Sequence, residues 1–99
     1  MPISKLKQYE RDTMAQLHPD ISAALAKLHE RQRLIVLQRR EPFNGKLMTI
    51  DEIAQHWYVV RQRIYQIDLH ARRSLKPYRS EVLREWMERG VQNARSKKA

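Results

Sequence analysis

Between Thr49 and Lys76 the chain carries a pattern that two short helices crossing at a steep angle satisfy. Thr49, Ile50, Asp51 and Glu52 form a capping box. The Thr49 hydroxyl can accept the amide hydrogen three residues on, and the Glu52 carboxylate can reach back to the amide of Thr49. A short helix from Ile50 to about Trp57 follows, then a turn, then a longer basic helix from about Arg61 to Leu75. Two such helices approach closely only where the first offers a small residue, and Ala54 supplies it. Ile50, Ile53 and Trp57 on the first helix, Val59 in the turn, and Ile64 and Ile67 on the second then fall on the inward face.

The rest of the chain is organised around this pair. Residues from Ser4 to Leu17 read as a polar helix with apolar positions at Leu6, Tyr9, Met14 and Leu17. Pro19 pushes His18 out of helical geometry, and Asp20 is placed to cap a new helix from Ile21. Apolar residues recur with helical spacing at Ile21, Leu25 and Leu28, then at Leu34, Ile35 and Leu37. The charged stretch from His29 to Gln32 predicts a tight junction between two helices, the second stopping near Arg40. Pro42, Asn44 and Gly45 mark a loop. Pro77 breaks the basic helix, and Ser80 caps a last one from Glu81 to Arg89 that ends at Gly90. No strand-like alternation appears. The expected fold is all-α, a small helical bundle containing a helix-turn-helix. The expected division is a helical extension over residues 1–20, the helix-turn-helix domain over 21–90, and a basic flexible tail over 91–99.

Composition narrows the function. The 99 residues carry 20 Lys and Arg against 11 Asp and Glu, a formal charge of +9, which favours a polyanionic partner. Cysteine is absent, so disulfides and thiolate metal sites are ruled out. No apolar run approaches the roughly 20 residues of a membrane span, and the first residues do not read as a signal peptide. A cytoplasmic protein with no membrane partner is the expectation. His18, His29, His56 and His70 are dispersed without ligand spacing, so neither a metal nor a cofactor is expected. With glycine only at 45 and 90 there is no phosphate-binding loop, and no serine has a base-and-orienter context, so no catalytic residue is assigned.

Charge gathers where the second helix of the pair lies. From Arg61 to Arg79 the only acid is Asp68. The outward face of that helix shows Arg61, Gln62, Tyr65, Gln66 and Leu69. Arg and Gln can make bidentate contacts to guanine and adenine, so Arg61, Gln62, Tyr65 and Gln66 are the expected base-reading edge in a major groove. Arg63, Arg72, Arg73 and Lys76 are the expected phosphate contacts around it. Trp57 reads as core. Trp86 and Met87, beside Val82 and Leu83, fit either core or an exposed partner surface.

At this point the chain resembles a known family. The segment from Thr49 to Asp68 is similar to the helix-turn-helix of region four of bacterial sigma factors, most tellingly in Arg61, Arg63, Ile64, Gln66, Ile67 and Asp68. Leu28 to Arg39 resembles the helix preceding it in that family, and Pro77 to Arg84 resembles the closing segment of primary sigma factors. The resemblance implies promoter DNA as a partner, read by the second helix, and docking on the flap of the RNA polymerase β subunit. It places Arg61, Gln62 and Gln66 near bases, Arg63 near a base or phosphate, and Thr49, Arg72 and Lys76 near phosphates. Leu34, Ile35, Leu75 and Leu83 are the expected flap-binding residues.

The departures from that family carry their own expectations. Gln62 stands where primary sigma factors have a glutamate, and Tyr65 where they have an arginine, so an altered or relaxed sequence preference is expected. Tyr58 occupies a turn position that a glycine or aspartate usually fills, and Val60 replaces the usual Ser or Thr cap. The implied function is a transcription regulator built as a free-standing version of the domain, of a kind suited to a phage or other mobile element. Two alternatives stay open: a dimeric helix-turn-helix repressor, with the first helix as its seam, and a protein-interaction module that has lost DNA binding.

Overall fold

A computed structural model describes the backbone of residues 3–96 and the side chains of residues 5–89. Among them are six helices: α1 (Ile3–Gln16), α2 (Pro19–Leu25), α3 (Glu30–Arg40), α4 (Ile50–His56), α5 (Arg61–Ser74) and α6 (Glu81–Ser96). The element order is the expected one. Three local details differ.

The first concerns the start of α2. Its cap is His18, whose Nδ1 accepts from the Asp20 amide at 3.1 Å, and Pro19 takes the first helical position. Proline is suited to that position because its missing N–H has no helical partner there and its φ is already helical. Asp20, the expected cap, instead accepts a hydrogen bond from the Ser80 hydroxyl at 3.0 Å. Ser80 Oγ in turn accepts from the amide of Leu83, so one hydroxyl caps α6 and ties it to α2. The second difference is at Gly90, where α6 does not stop but continues to Ser96. A glycine inside a helix costs about 1 kcal/mol relative to alanine, and no proline follows to break it. Most of the segment expected as a flexible tail is therefore helical. Third, the expected flap-binding residues Leu34, Ile35, Leu75 and Leu83 are buried.

Helix α3 is the hub, packing against α1, α4, α5 and α6. This accounts for an unbroken run of buried residues from Leu34 to Arg40, where a helix with neighbours on one side would bury only a stripe. Two apolar clusters meet on it. The larger joins Leu6 and Tyr9 of α1, Ile21, Ala24 and Leu25 of α2, Leu34, Val36 and Leu37 of α3, and Leu83, Trp86 and Met87 of α6. Trp86 and Met87 are thus core. The smaller is the lock of the helix-turn-helix: Ile35, Ile53, Ala54, Ile64 and Ile67, with Ile50, Trp57 and Val59 packed against it. Every inward position expected from the spacing is there.

Polar groups finish the packing. The Tyr9 hydroxyl shares its proton between the carbonyls of Leu37 and Glu41, at 3.0 and 2.9 Å, and so ties α1 to the end of α3, where Leu37 also accepts the Glu41 amide. The Glu41 carboxylate accepts from Trp86 Nε1 at 2.6 Å and Arg89 at 2.8 Å, anchoring α6. Between α3 and α4, Asn44 and Gly45 both adopt positive φ, and Phe43 and Lys46 exchange backbone hydrogen bonds across them. That is the turn an Asn-Gly pair favours.

Candidate nucleic-acid interface

The start of the helix-turn-helix is held as expected. The Thr49 hydroxyl accepts from the Glu52 amide at 3.1 Å, and Glu52 accepts from the Thr49 amide at 2.8 Å. The Thr49 hydroxyl proton remains to be donated outward. Helix α4 ends in a Schellman arrangement: the Tyr58 amide donates to the Gln55 carbonyl at 3.2 Å and the Val59 amide to Ala54 at 3.0 Å. Such an ending requires a left-handed residue. Tyr58 fills that position with φ +56° and leaves its ring 95% exposed. Val59 turns inward onto Ala54, which sets the crossing of the two helices.

Helix α5 then begins at Arg61 with Val60 as its cap residue. Val60 makes no side-chain cap hydrogen bond and is 72% exposed. Ile64, Ile67, Asp68 and Ala71 face inward, and Arg61, Gln62, Arg63, Tyr65, Gln66 and Leu69 are exposed. The expected reading edge is thus presented to solvent as one face. Arg61 makes a loose exposed ion pair with Asp51 at 3.4 Å, of a kind worth little in water. Arg73 in the last turn of α5 and Lys76 just beyond it are exposed.

Behind this edge lies a buried cluster that sequence reading overlooked. Asp68 is completely buried, and Arg40 grips its carboxylate with two hydrogen bonds of 2.6 and 3.0 Å. Arg40 also donates to the carbonyl of Met87 at 3.1 and 2.9 Å and to that of Val36 at 3.2 Å. Arg39 approaches the same carboxylate at 2.8 Å. Its guanidinium lies over the Tyr65 ring, 5.3 Å from the centroid. Burial is the main influence lowering the Arg39 pKa from its ordinary value, with Asp68 acting against it. Arg72 stands 3.5 Å from Asp68 without a hydrogen bond through its Nε. This residue, expected on a phosphate, is therefore half-turned toward the interior. Three guanidiniums thus approach one carboxylate, from α3 and from α5 itself. One signal for this was present in the sequence. Asp68 is the lone acid of a basic stretch and stands four residues after the inward Ile64, on the same helix face, where a carboxylate needs a buried cation beside it.

The four residues expected to bind the flap are core residues. Leu34 and Ile35 are buried on α3 among the helices packed around it. Leu75 and Leu83 are also buried, but they form the floor of an open groove between the end of α5 and the start of α6. Tyr78 and Met87 line it too, with Arg72, Lys76, Arg79 and Glu88 among the charged groups at its edges. Helical spacing marks apolar positions but cannot separate those facing a partner from those facing another helix of the same chain.

The geometry agrees with comparisons to known proteins. The profile of the family described as Sigma-70, region 4 matches residues 24–76. Over 72 residues, 72% of this chain, it is 35% identical to the RNA polymerase sigma factor SigA1 of Synechococcus elongatus. It is 36% identical over the same length to the RNA polymerase sigma factor SigA of a Nostoc species. The matched region spans 18% of the length of each of these relatives. No solved structure gives a significant match.

Proposed function

The chain belongs to the sigma-70 region 4 family, and on that premise we propose that it is a transcription regulator that binds promoter DNA through α5 and contacts RNA polymerase. The observation that carries the DNA reading is the exposed edge of Arg61, Gln62 and Gln66 at the leading half of α5. Those side chains have the hydrogen-bonding groups that read purine edges in a major groove. Arg63, Arg73 and Lys76 flank them as phosphate contacts, with Thr49 donating its hydroxyl proton at the start of α4 and Arg72 adding charge from a half-buried position. Tyr65, held from behind by Arg39, offers the edge of its ring and its hydroxyl rather than a cation. With Gln62 beside it, the expected outcome is a preference that departs from that of primary sigma factors.

The polymerase contact is assigned to the groove between α5 and α6. Leu75 and Leu83 form an apolar floor there and the rim is charged, a combination suited to an amphipathic helix from a partner. The partner proposed is the β flap.

A pull-down with RNA polymerase core, with and without the flap, tests this reading beside a duplex titration at several salt concentrations. Capture that vanishes on flap deletion, together with salt-sensitive duplex binding, is the expected result. A wild-type chain that binds no duplex at low salt sinks the DNA reading. Equal capture with and without the flap sinks the polymerase assignment.

A further inference from the structure

We propose that Val60 is a specificity-determining residue of this interface, reading the C5-methyl group of a pyrimidine. The inference rests on the DNA-binding reading above and names a chemical feature of the DNA that α5 would select.

Residues at the start of the second helix of a helix-turn-helix are the ones brought to base edges. Val60 immediately precedes Arg61, the first helical residue of α5, and is 72% exposed. Serine, threonine, aspartate or asparagine at this position would accept a hydrogen bond from the first turn of the helix, and valine forgoes it. Its side chain has no polar atom for a phosphate or for a donor or acceptor on a base. Set against a guanine, adenine or unmodified cytosine edge, it would leave those groups desolvated and unpaired. A methyl group on C5 of a pyrimidine is the apolar group that projects into a major groove, carried by thymine and by methylated cytosine. Valine is also stiff at χ1, so it is ordered before contact and little rotamer freedom is lost on binding.

The other exposed apolar groups are placed differently. Leu69 lies eight residues along α5 from Arg61, roughly 12 Å of helix rise away from its leading end. Tyr65 is engaged by Arg39. Tyr58 projects from the turn rather than from α5. Val60 shares an open hollow with Tyr58 and Arg63, so a cation stands beside the apolar contact where a phosphate flanks the base.

The test begins by selecting preferred duplexes from a random double-stranded pool with the full-length wild-type chain. Each thymine of the selected site is then replaced in turn by uracil, and each cytosine by 5-methylcytosine. Affinities are measured for the wild type and for Val60→Ser, whose folding is checked by circular dichroism. The wild type should lose about three- to fivefold at one thymine on loss of its methyl, the scale of one buried methyl group. Val60→Ser should bind the two duplexes equally. A gain of similar size on 5-methylcytosine, with no loss on uracil, supports the same contact with modified cytosine as its source. Wild type indifferent to every methyl group, or a serine variant that keeps the full methyl preference, overturns the assignment while leaving DNA binding intact. A selection that retains no duplex overturns both.

Discussion

At the scale of single residues, two positions in the turn carry side chains that the local backbone does not favour. Tyr58 sits at φ +56°, where an L-residue with a Cβ is strained by about 1–2 kcal/mol and glycine is not. Its ring touches too little to repay this, being 95% exposed. Tyr58→Gly should therefore raise stability by about 1 kcal/mol, read as a higher thermal midpoint by circular dichroism. Val60→Ser should add about 1 kcal/mol by supplying the missing cap. If the turn is held by local geometry alone, the double variant should show the sum. A drop in stability for Tyr58→Gly would mean that the ring packs on something in solution. Both residues were conspicuous in the sequence because they stand where a turn residue and a cap residue are expected.

At the scale of elements, α3 and α5 are joined by a buried ion cluster as much as by apolar contact. Asp68→Ala would leave Arg40 and Arg39 buried without their anion, and such a loss typically costs about 3–5 kcal/mol. Denaturant unfolding should register it, whereas Arg73→Ala, on the exposed side of the same helix, should change stability by less than about 0.5 kcal/mol. Equal effects would refute the structural role of the cluster. The junction of α1 with α3 has a pH signature. Burial, and secondarily the nearby Glu41 carboxylate, push the Tyr9 pKa well above its ordinary value of 10.0. The unfolded chain thus loses this proton at lower pH than the folded one. Stability from Tyr9 is fully present below pH 10.0 and declines as pH rises past it. Ultraviolet titration of the four tyrosines should show one ionising late, and Tyr9→Phe should remove that late phase. Four tyrosines ionising together would contradict the buried hydroxyl.

At the scale of the whole molecule, the formal charge of +9 is unevenly placed. Cations crowd α5 and the segment after it, while acids such as Glu10 and Glu30 are paired with Arg33 and Lys7 at the α1–α3 junction. If Arg63, Arg72, Arg73 and Lys76 each neutralise one phosphate, the logarithm of duplex affinity should fall with the logarithm of salt concentration at a slope of about −3 to −4. Lys76→Ala should reduce that slope by about 1 with little change in sequence preference. A slope near zero would instead favour an interface made for protein.

Much of this protein was decided by short-range order in the chain. The capping box at Thr49, the Asn-Gly turn, the breaks at Pro19 and Pro77 and the inward set from Ile50 to Ile67 each follow from interactions between residues a few positions apart. Those rules act before any tertiary contact forms. The exposed edge of α5 was legible for the same reason: once Ile64 and Ile67 are turned inward, helical periodicity leaves Arg61, Gln62 and Gln66 facing out. What tertiary structure alone decided is which buried groups are partnered, and by what. Leu34 and Ile35 could have faced a polymerase or another helix of the same chain, and only the packing around α3 assigns them to the core. Arg39 and Arg40 stand in the last turn of α3, and only the packing of α5 brings Asp68 against them, 28 residues away from Arg40 in sequence. A charge is worth burying only beside its partner, and no local rule specifies a partner so distant.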